Sequence, residues 1–335
     1  MNQTPLLDVQ GLSIGIQQGK RWLPAVDNIS FQLYPGEILG IVGESGCGKT
    51  LTACSIQRLL PQGVQTTGGN ILFNGIDITG LSQEELRRIR GNEIAMVFQE
   101  PMTSLNPLLT IGRQIGEPLE LHGKKDKKLI CSKVLEVMEK VGLQDPKKLA
   151  PAYPHQLSGG MRQRVMIAAA VICEPKLLIA DEPTTALDVT IQAQILHLLK
   201  KINQELKTAI LFISHDLGVI SQLCDRVLVM YAGKLVEAGG VKAIFSHPQH
   251  EYTKSLIGSI PRKALKGKPL ANIPGKVLSI EEIAERKFGC PFAPRCIRAG
   301  TSCFAGFPDK ATVNEGHYVH CTLVKPLAEE HYGGI

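Results

Sequence analysis

Apolar positions in the first 80 residues fall into short runs, LLDVQGLSIGI, AVDNISFQLY, EILGIVG and GGNILFNGIDIT, each closed by turn residues. Period-two alternation punctuated by Gly and Asn predicts strands, here an antiparallel β layer flanking one buried strand over residues 37–42. From Ser82 to about Lys176 helical spacing dominates, interrupted by the loop PMTSLNP at residues 101–107. Nearly continuous apolar runs return at LLIAD (177–181) and AILFIS (209–214), separated by a long helical segment from Val189 to about Lys207. Strands alternating with helices predict a parallel sheet covered on both faces. A hairpin is expected around YAGK, Tyr231 to Lys234, followed by the run HPQHEYTKSLIGSIP. Beyond Pro261 the stretch RKALKGKPLANIPGK is basic and carries Pro and Gly, as a linker does. A boundary is therefore expected near residue 260, and the chain shows no internal repeat.

Composition narrows the classes. With 335 residues, 44% of them hydrophobic and 20% charged, the chain has room for one large domain with an appendage and has the balance of a soluble protein. No run of about 18 apolar residues occurs, so no membrane span is expected. The opening MNQTPLLDVQ lacks a basic segment followed by a long apolar one, which argues for the cytosol, where persistent disulfides are rare. The net charge of +6 rests partly on GKKDKK (123–128), which has no interleaved aromatics and reads as a solvated helix face; no nucleic-acid partner is expected.

Three motifs carry chemistry. GESGCGKT (Gly43, Glu44, Ser45, Gly46, Cys47, Gly48, Lys49, Thr50) fits the G-x-x-x-x-G-K-[ST] phosphate loop and lies between an apolar strand and a helical segment, as that motif requires. Its backbone N–H groups and the helix start would cradle the phosphates of a nucleotide, Lys49 would reach the β- and γ-phosphates, and Thr50 would ligate Mg²⁺. In LLIADEPTTALD, Asp181 ends a buried strand and places a carboxylate where it can hold Mg²⁺, while Glu182 at the strand tip suits a general base. In LSGGMRQR, Ser158 reads as an N-cap, and Gly159 and Gly160 leave the next N–H groups uncovered. One nucleotide needs one phosphate cradle; a second anion-binding helix start suggests two molecules that share their sites.

With these three motifs in this order, residues 1 to about 260 resemble the ATPase subunit of an ABC transporter. The resemblance implies an α/β fold: a RecA-like, mostly parallel sheet with an antiparallel β subdomain and a helical subdomain at about 101–165. It implies further that Gln99 in VFQEP contacts Mg²⁺ and water, that His215 in FISHD contacts the γ-phosphate and orients Glu182, and that Asp188 in ALD crosses a dimer interface. Trp22 lies near the place of the aromatic that stacks on adenine. Neither Glu182 nor His215 is replaced, so the site is expected to hydrolyse ATP.

The nine cysteines divide into two groups. Cys54, Cys131, Cys173 and Cys224 are scattered among apolar or helical neighbours and read as small packing residues, and Cys47 as a small residue at a variable loop position. Cys290, Cys296, Cys303 and Cys321 follow the spacing C-x5-C-x6-C-x17-C, looser than a structural zinc site prefers. The segment is poor in aliphatic residues and needs a staple; zinc, an iron–sulfur cluster and free thiols all remain open. His317 and His320 flank Cys321 as alternative ligands but read as surface histidines. HPQHEYTKSLIGSIP, GCPFAPRC and GHYVHC, with AVDNISF and FQEPMTSLNP, resemble the oligopeptide/dipeptide and nickel uptake ATPases; HPQHEYT replaces a shorter HPYT and reads as a harmless insertion.

This closer resemblance implies a small Cys-rich extension over residues 261–335 holding a [4Fe-4S] cluster on the four cysteines. It also implies two transmembrane permease subunits, a paralogous ATPase partner, an extracytoplasmic peptide-binding protein, and a place at the cytoplasmic face of the cell membrane. Import of di- or oligopeptides is the expected activity. Nickel or metal-complex uptake is the alternative, and a soluble ABC ATPase is disfavoured by the single nucleotide domain.

Overall fold

The computed structural model describes residues 4–185, 187–260, 273–285 and 289–324; most of the expected linker, residues 261–272, lies outside them. Among the described residues, twelve strands form two sheets. The first is antiparallel, in the order β2-β1-β4-β5, built from β1 (Leu7–Gln18), β2 (Arg21–Leu33), β4 (Val64–Phe73) and β5 (Ile76–Asp77). Its alternating apolar positions, among them Leu7, Val9, Leu12 and Ile14, are buried, as expected of a sheet with one face on the core.

The second sheet has the order β11-β12-β10-β9-β3-β8-β7-β6. Its centre is parallel: β9 (Arg226–Tyr231), β3 (Ile38–Val42), β8 (Ala209–Ser214), β7 (Leu177–Asp181) and β6 (Ile94–Val97). Every residue of β3, β7 and β8 is buried, which explains why their sequences read as unbroken apolar runs. The strand β6 lies inside the stretch where helical spacing dominates; four residues are too few to declare a period against the flanking helices. Between Pro101 and Val171 the chain is mainly helical, with longer helices at Ile111–Leu121, Lys127–Lys140 and Gly159–Val171.

The C-terminal segment returns to this sheet. The expected hairpin forms with β10 (Lys234–Gly240) antiparallel to β9, and β10 is then paired by β12 (His317–Val319) and, beyond it, β11 (Ala311–Asn314). Glu237, fully buried on β10, ties the arrangement: it accepts from Gln249 N (2.7 Å), His250 N (3.0 Å) and His317 Nε2 (2.8 Å). His317 is therefore a buried structural partner of Glu237 and not a surface histidine.

Candidate active site

The parallel register sets the site. Val42 lies opposite Ser214, and Asp181 opposite Ile213. The carboxyl ends of β3, β7 and β8 thus release Gly43, Glu182 and His215 side by side, the edge at which open α/β sheets bind ligands. Val97 on β6 pairs with Ala180 on β7, so Gln99 two residues on falls beside Glu182. A cleft of ≈ 940 Å³ opens there, walled by the loop Gly43–Thr50 and by Gln99, Glu182, Thr185 and His215.

The phosphate loop needs its glycines. A Cβ on Gly43 would stand 2.1 Å from the Met230 carbonyl oxygen, and Gly48 has φ +102° with the Ala25 carbonyl oxygen 3.0 Å from its Cβ position. Behind the loop, buried Lys49 curls back and donates to the carbonyls of Gly43 (2.8 Å) and Glu44 (3.0 Å). At the head of the helix Lys49–Ile56, Thr50 Oγ1 donates to Asp181 Oδ1 (3.3 Å). Burial pushes the Asp181 carboxyl above its ordinary value, against the pull of that hydrogen bond. A hydroxyl and a carboxylate side by side are hard oxygen donors of the type Mg²⁺ prefers.

Glu182 is held by three donors on one oxygen: Gln99 Nε2 (3.2 Å), Thr185 Oγ1 (2.9 Å) and His215 Nδ1 (3.0 Å). An ionised carboxylate only accepts, so His215 Nδ1 carries the hydrogen in this contact. The Glu182 backbone sits at φ +45°, an uncommon conformation for a residue with a side chain. It is fixed there by a bond from its N–H to the Ile213 carbonyl (3.0 Å).

Other expected site residues lie away from this cleft. Ser158 caps the helix Gly159–Val171, accepting from Met161 N (3.3 Å); Ser158 and Gly159 are exposed and Gly160 partly so. Asp188 is exposed and caps the helix Val189–Leu206 through Ile191 N (2.9 Å). None of the four walls the chain's own cleft. Trp22 is also absent from the lining: 41% exposed, it stands against Gly15, where a Cβ would lie 3.2 Å from its ring.

Residues after 250 reach the phosphate loop, which sequence reasoning missed. Tyr252 Oη accepts from Glu44 N (2.8 Å), and buried Arg295 grips the Glu44 carboxylate with both terminal nitrogens, at 2.7 and 3.2 Å. Arg295 also bonds Tyr231 Oη (3.2 Å) and the Pro274 carbonyl (2.8 Å). The only sequence signal was an arginine between two cysteines of CPFAPRC.

The four cysteines Cys290, Cys296, Cys303 and Cys321 line a single small cavity, together with His250, Glu251 and Phe292. Among the described residues, no three His, Cys, Asp or Glu side chains converge as the ligands of a single metal ion would. Burial pushes the Cys290 thiol up to about 11. Its sulfur lies 3.7 Å from Nε2 of His250, whose Nδ1 accepts from Tyr252 N (3.2 Å) and so leaves Nε2 as the donor. His250 belongs to the segment read as a harmless insertion. His320 is turned away to the Pro308 carbonyl (2.9 Å) and Phe307.

Known proteins bear on this geometry. Residues 26–185 match the family model described as ABC transporter, and residues 236–303 the model described as oligopeptide/dipeptide transporter, C-terminal region. A putative peptide import ATP-binding protein of Brucella ovis is 47% identical over 340 residues, covering 98% of this chain and 100% of the relative. The dipeptide transport ATP-binding protein DppD of Bacillus subtilis is 49% identical over 325 residues, covering 97% and 96%. Among solved structures, a dimeric post-hydrolysis state of the ATP-binding cassette MJ0796 bound to ADP and Pi aligns with a TM-score of 0.63 and 29% identity, over 70% of this chain and 98% of that one.

Proposed function

The chain belongs to the ABC transporter ATP-binding family and carries its oligopeptide/dipeptide C-terminal region, and from that premise we propose that it hydrolyses ATP to energise import of di- or oligopeptides. The observation that carries the catalytic part is the convergence of Gln99, Thr185 and His215 on one oxygen of Glu182, in a cleft that begins at the phosphate loop.

The loop N–H groups and Lys49 bind the phosphates, Thr50 and Asp181 with Gln99 hold Mg²⁺, and Glu182 takes the proton of the attacking water while His215 keeps its carboxylate aimed. Mg²⁺ supplies neutralisation of the charge that develops on the transferring phosphoryl group. Ser158, Gly159 and Asp188 are exposed, Gly160 partly so, and none of them lines the chain's own cleft, which supports their serving the nucleotide of a second ATPase, a paralogue in this reading. Closing of that pair on ATP and opening after hydrolysis would drive two permease subunits at the cytoplasmic face of the membrane, with solute delivered by a peptide-binding protein outside. Among the described residues no helix is long and apolar enough to cross a membrane.

For the extension, the gathering of four thiols around one cavity supports a [4Fe-4S] cluster, and their spacing in sequence is looser than a structural zinc site prefers. Cys290, Cys296, Cys303 and Cys321 would be its ligands, with the His250 N–H directed at the Cys290 sulfur. The cluster would serve to fold the segment, which carries little core of its own. Transport is tested by deletion of the reading frame: loss of labelled dipeptide uptake with unchanged nickel accumulation supports the assignment, and the reverse pattern would reject it.

A further inference from the structure

We propose that the C-terminal extension supplies one wall of the nucleobase subsite, with Ile280 and Ile283 forming an aliphatic face against the base of the bound nucleotide. The inference rests on the ATP site described above and concerns the aliphatic part of the same cleft. Its polar lining is the phosphate loop with Gln99, Glu182, Thr185 and His215. The same cleft is also lined by Ile16, Ala25, Leu51, Leu256, Ile280 and Ile283, all aliphatic. A cleft that combines charge-binding groups with aliphatic side chains matches the two halves of a nucleotide, and the base takes the apolar half.

Elements far apart in sequence meet in this lining, the N-terminal hairpin and the extension among them. Ile16 lies on β1 and Ala25 on β2, in the hairpin where Ile16 pairs with Leu23. Facing them is the short helix Ile280–Glu285 of the extension. Its start is closed by Ser279, whose N–H donates to Glu282 Oε2 (2.8 Å) and whose hydroxyl accepts from Glu282 N (3.2 Å), the reciprocal capping arrangement. Gln18 Nε2 at the end of β1 donates to Glu281 Oε1 (3.0 Å), so the helix is tied to the same hairpin that carries Ile16. Ile283 also packs against the main core, which fixes the helix from its inner side. Trp22 stands against Gly15, outside the lining, so the base meets aliphatic side chains on the hairpin as well as on the helix. Aliphatic walls offer no hydrogen bond to an exocyclic group, so the subsite holds a purine by its faces and reads its edge weakly.

The test is equilibrium titration of the purified full chain with MgADP, MgGDP and magnesium pyrophosphate, the last having no base. Two variants are compared with wild type: Ile280→Ser, at a partly exposed position whose change spares the main core, and Gln18→Ala, which releases the tie to Glu281. Ile280→Ser is expected to raise the Kd for ADP and GDP about tenfold, the loss for an isoleucine face removed from a base. Gln18→Ala should raise both by about threefold, the scale of one partly exposed hydrogen bond. Pyrophosphate binding stays unchanged in each variant, which shows an intact phosphate loop. Unchanged ADP affinity in both variants would overturn the inference, and so would an equal loss of pyrophosphate affinity, because the defect would then lie in the loop or the fold. Wild-type protein that binds neither ADP nor pyrophosphate would overturn the nucleotide-site reading itself.

Discussion

Replacing Arg295 by Ala removes the strut between the Cys-rich segment and the phosphate loop. The guanidinium side chain is 6% exposed and the Glu44 side chain 22%, and two of the Arg295 nitrogens hold the carboxylate at 2.7 and 3.2 Å. Breaking a fully buried ion pair costs about 3–5 kcal/mol, and hydrogen bonds to charged groups about 1.5–3 kcal/mol. Glu44 keeps some access to water, so the Arg295→Ala loss is expected near the bottom of the first range, about 3 kcal/mol. Glu44→Ala leaves the guanidinium with Tyr231 Oη and the Pro274 carbonyl as partners, and should cost less, about 2 kcal/mol. The double variant should then lose only about 3 kcal/mol, a coupling of about 2 kcal/mol. Urea unfolding of the four proteins of the cycle, compared at equal m values, measures this coupling. Arg295→Lys should recover less than half of the loss, since an ammonium cannot make the two-pronged contact. In the same variants the KM for ATP should rise while kcat at saturation holds, because the loop binds phosphate and performs no proton transfer. Additivity of the two single losses to within about 0.5 kcal/mol would refute the strut, whatever the individual values.

Glu237→Gln tests the return of the C-terminal strands to the sheet: an amide cannot accept from Gln249 N, His250 N and His317 at once, so unfolding free energy should fall by about 1.5–3 kcal/mol, read from the urea midpoint. Ser158→Ala should remove about 1 kcal/mol of helix capping, measured as a lower Tm, and should also lower the ATPase rate of the assembled pair while leaving ADP binding by the single chain intact. Anaerobically purified protein should be brown with about four irons per chain, the content of a [4Fe-4S] cluster, and Cys296→Ser should lower the iron in the colorimetric assay; colourless protein with one zinc per chain would reject the cluster.

What could be read from the chain, and what could not, follows from the range of the interactions. The phosphate loop and the residues ending β7 and β8 are local: each is a strand, a turn and a side chain within about eight positions, and their parallel register brings them together without further instruction. The antiparallel layer was legible for the same reason, since alternation repeats over each strand. Glu237 gives no such signal; a glutamate in LVEAGG reads as a solvated hairpin residue until His317, eighty positions later, arrives to pair with it. The roles of Arg295, Tyr252 and His250 likewise depend on the docking of the extension. The expected aromatic at position 22 had the right composition, but the β1–β2 hairpin turns it against Gly15 and places Ile16 in the cleft instead.

The central claim is that Glu182 is the base of an ATP-hydrolysing site. Glu182→Gln keeps an oxygen for the donors of Gln99, Thr185 and His215 while abolishing the charge, so the site stays assembled but cannot take the proton. Phosphate release from MgATP by the wild-type and Glu182→Gln chains, each assembled with its transport partners, measures this directly. Turnover should fall by about 10²–10⁴, the contribution of a positioned general base, with the Kd for ATP unchanged. Turnover of the variant within about threefold of wild type, less than 1 kcal/mol in the barrier, would contradict the account.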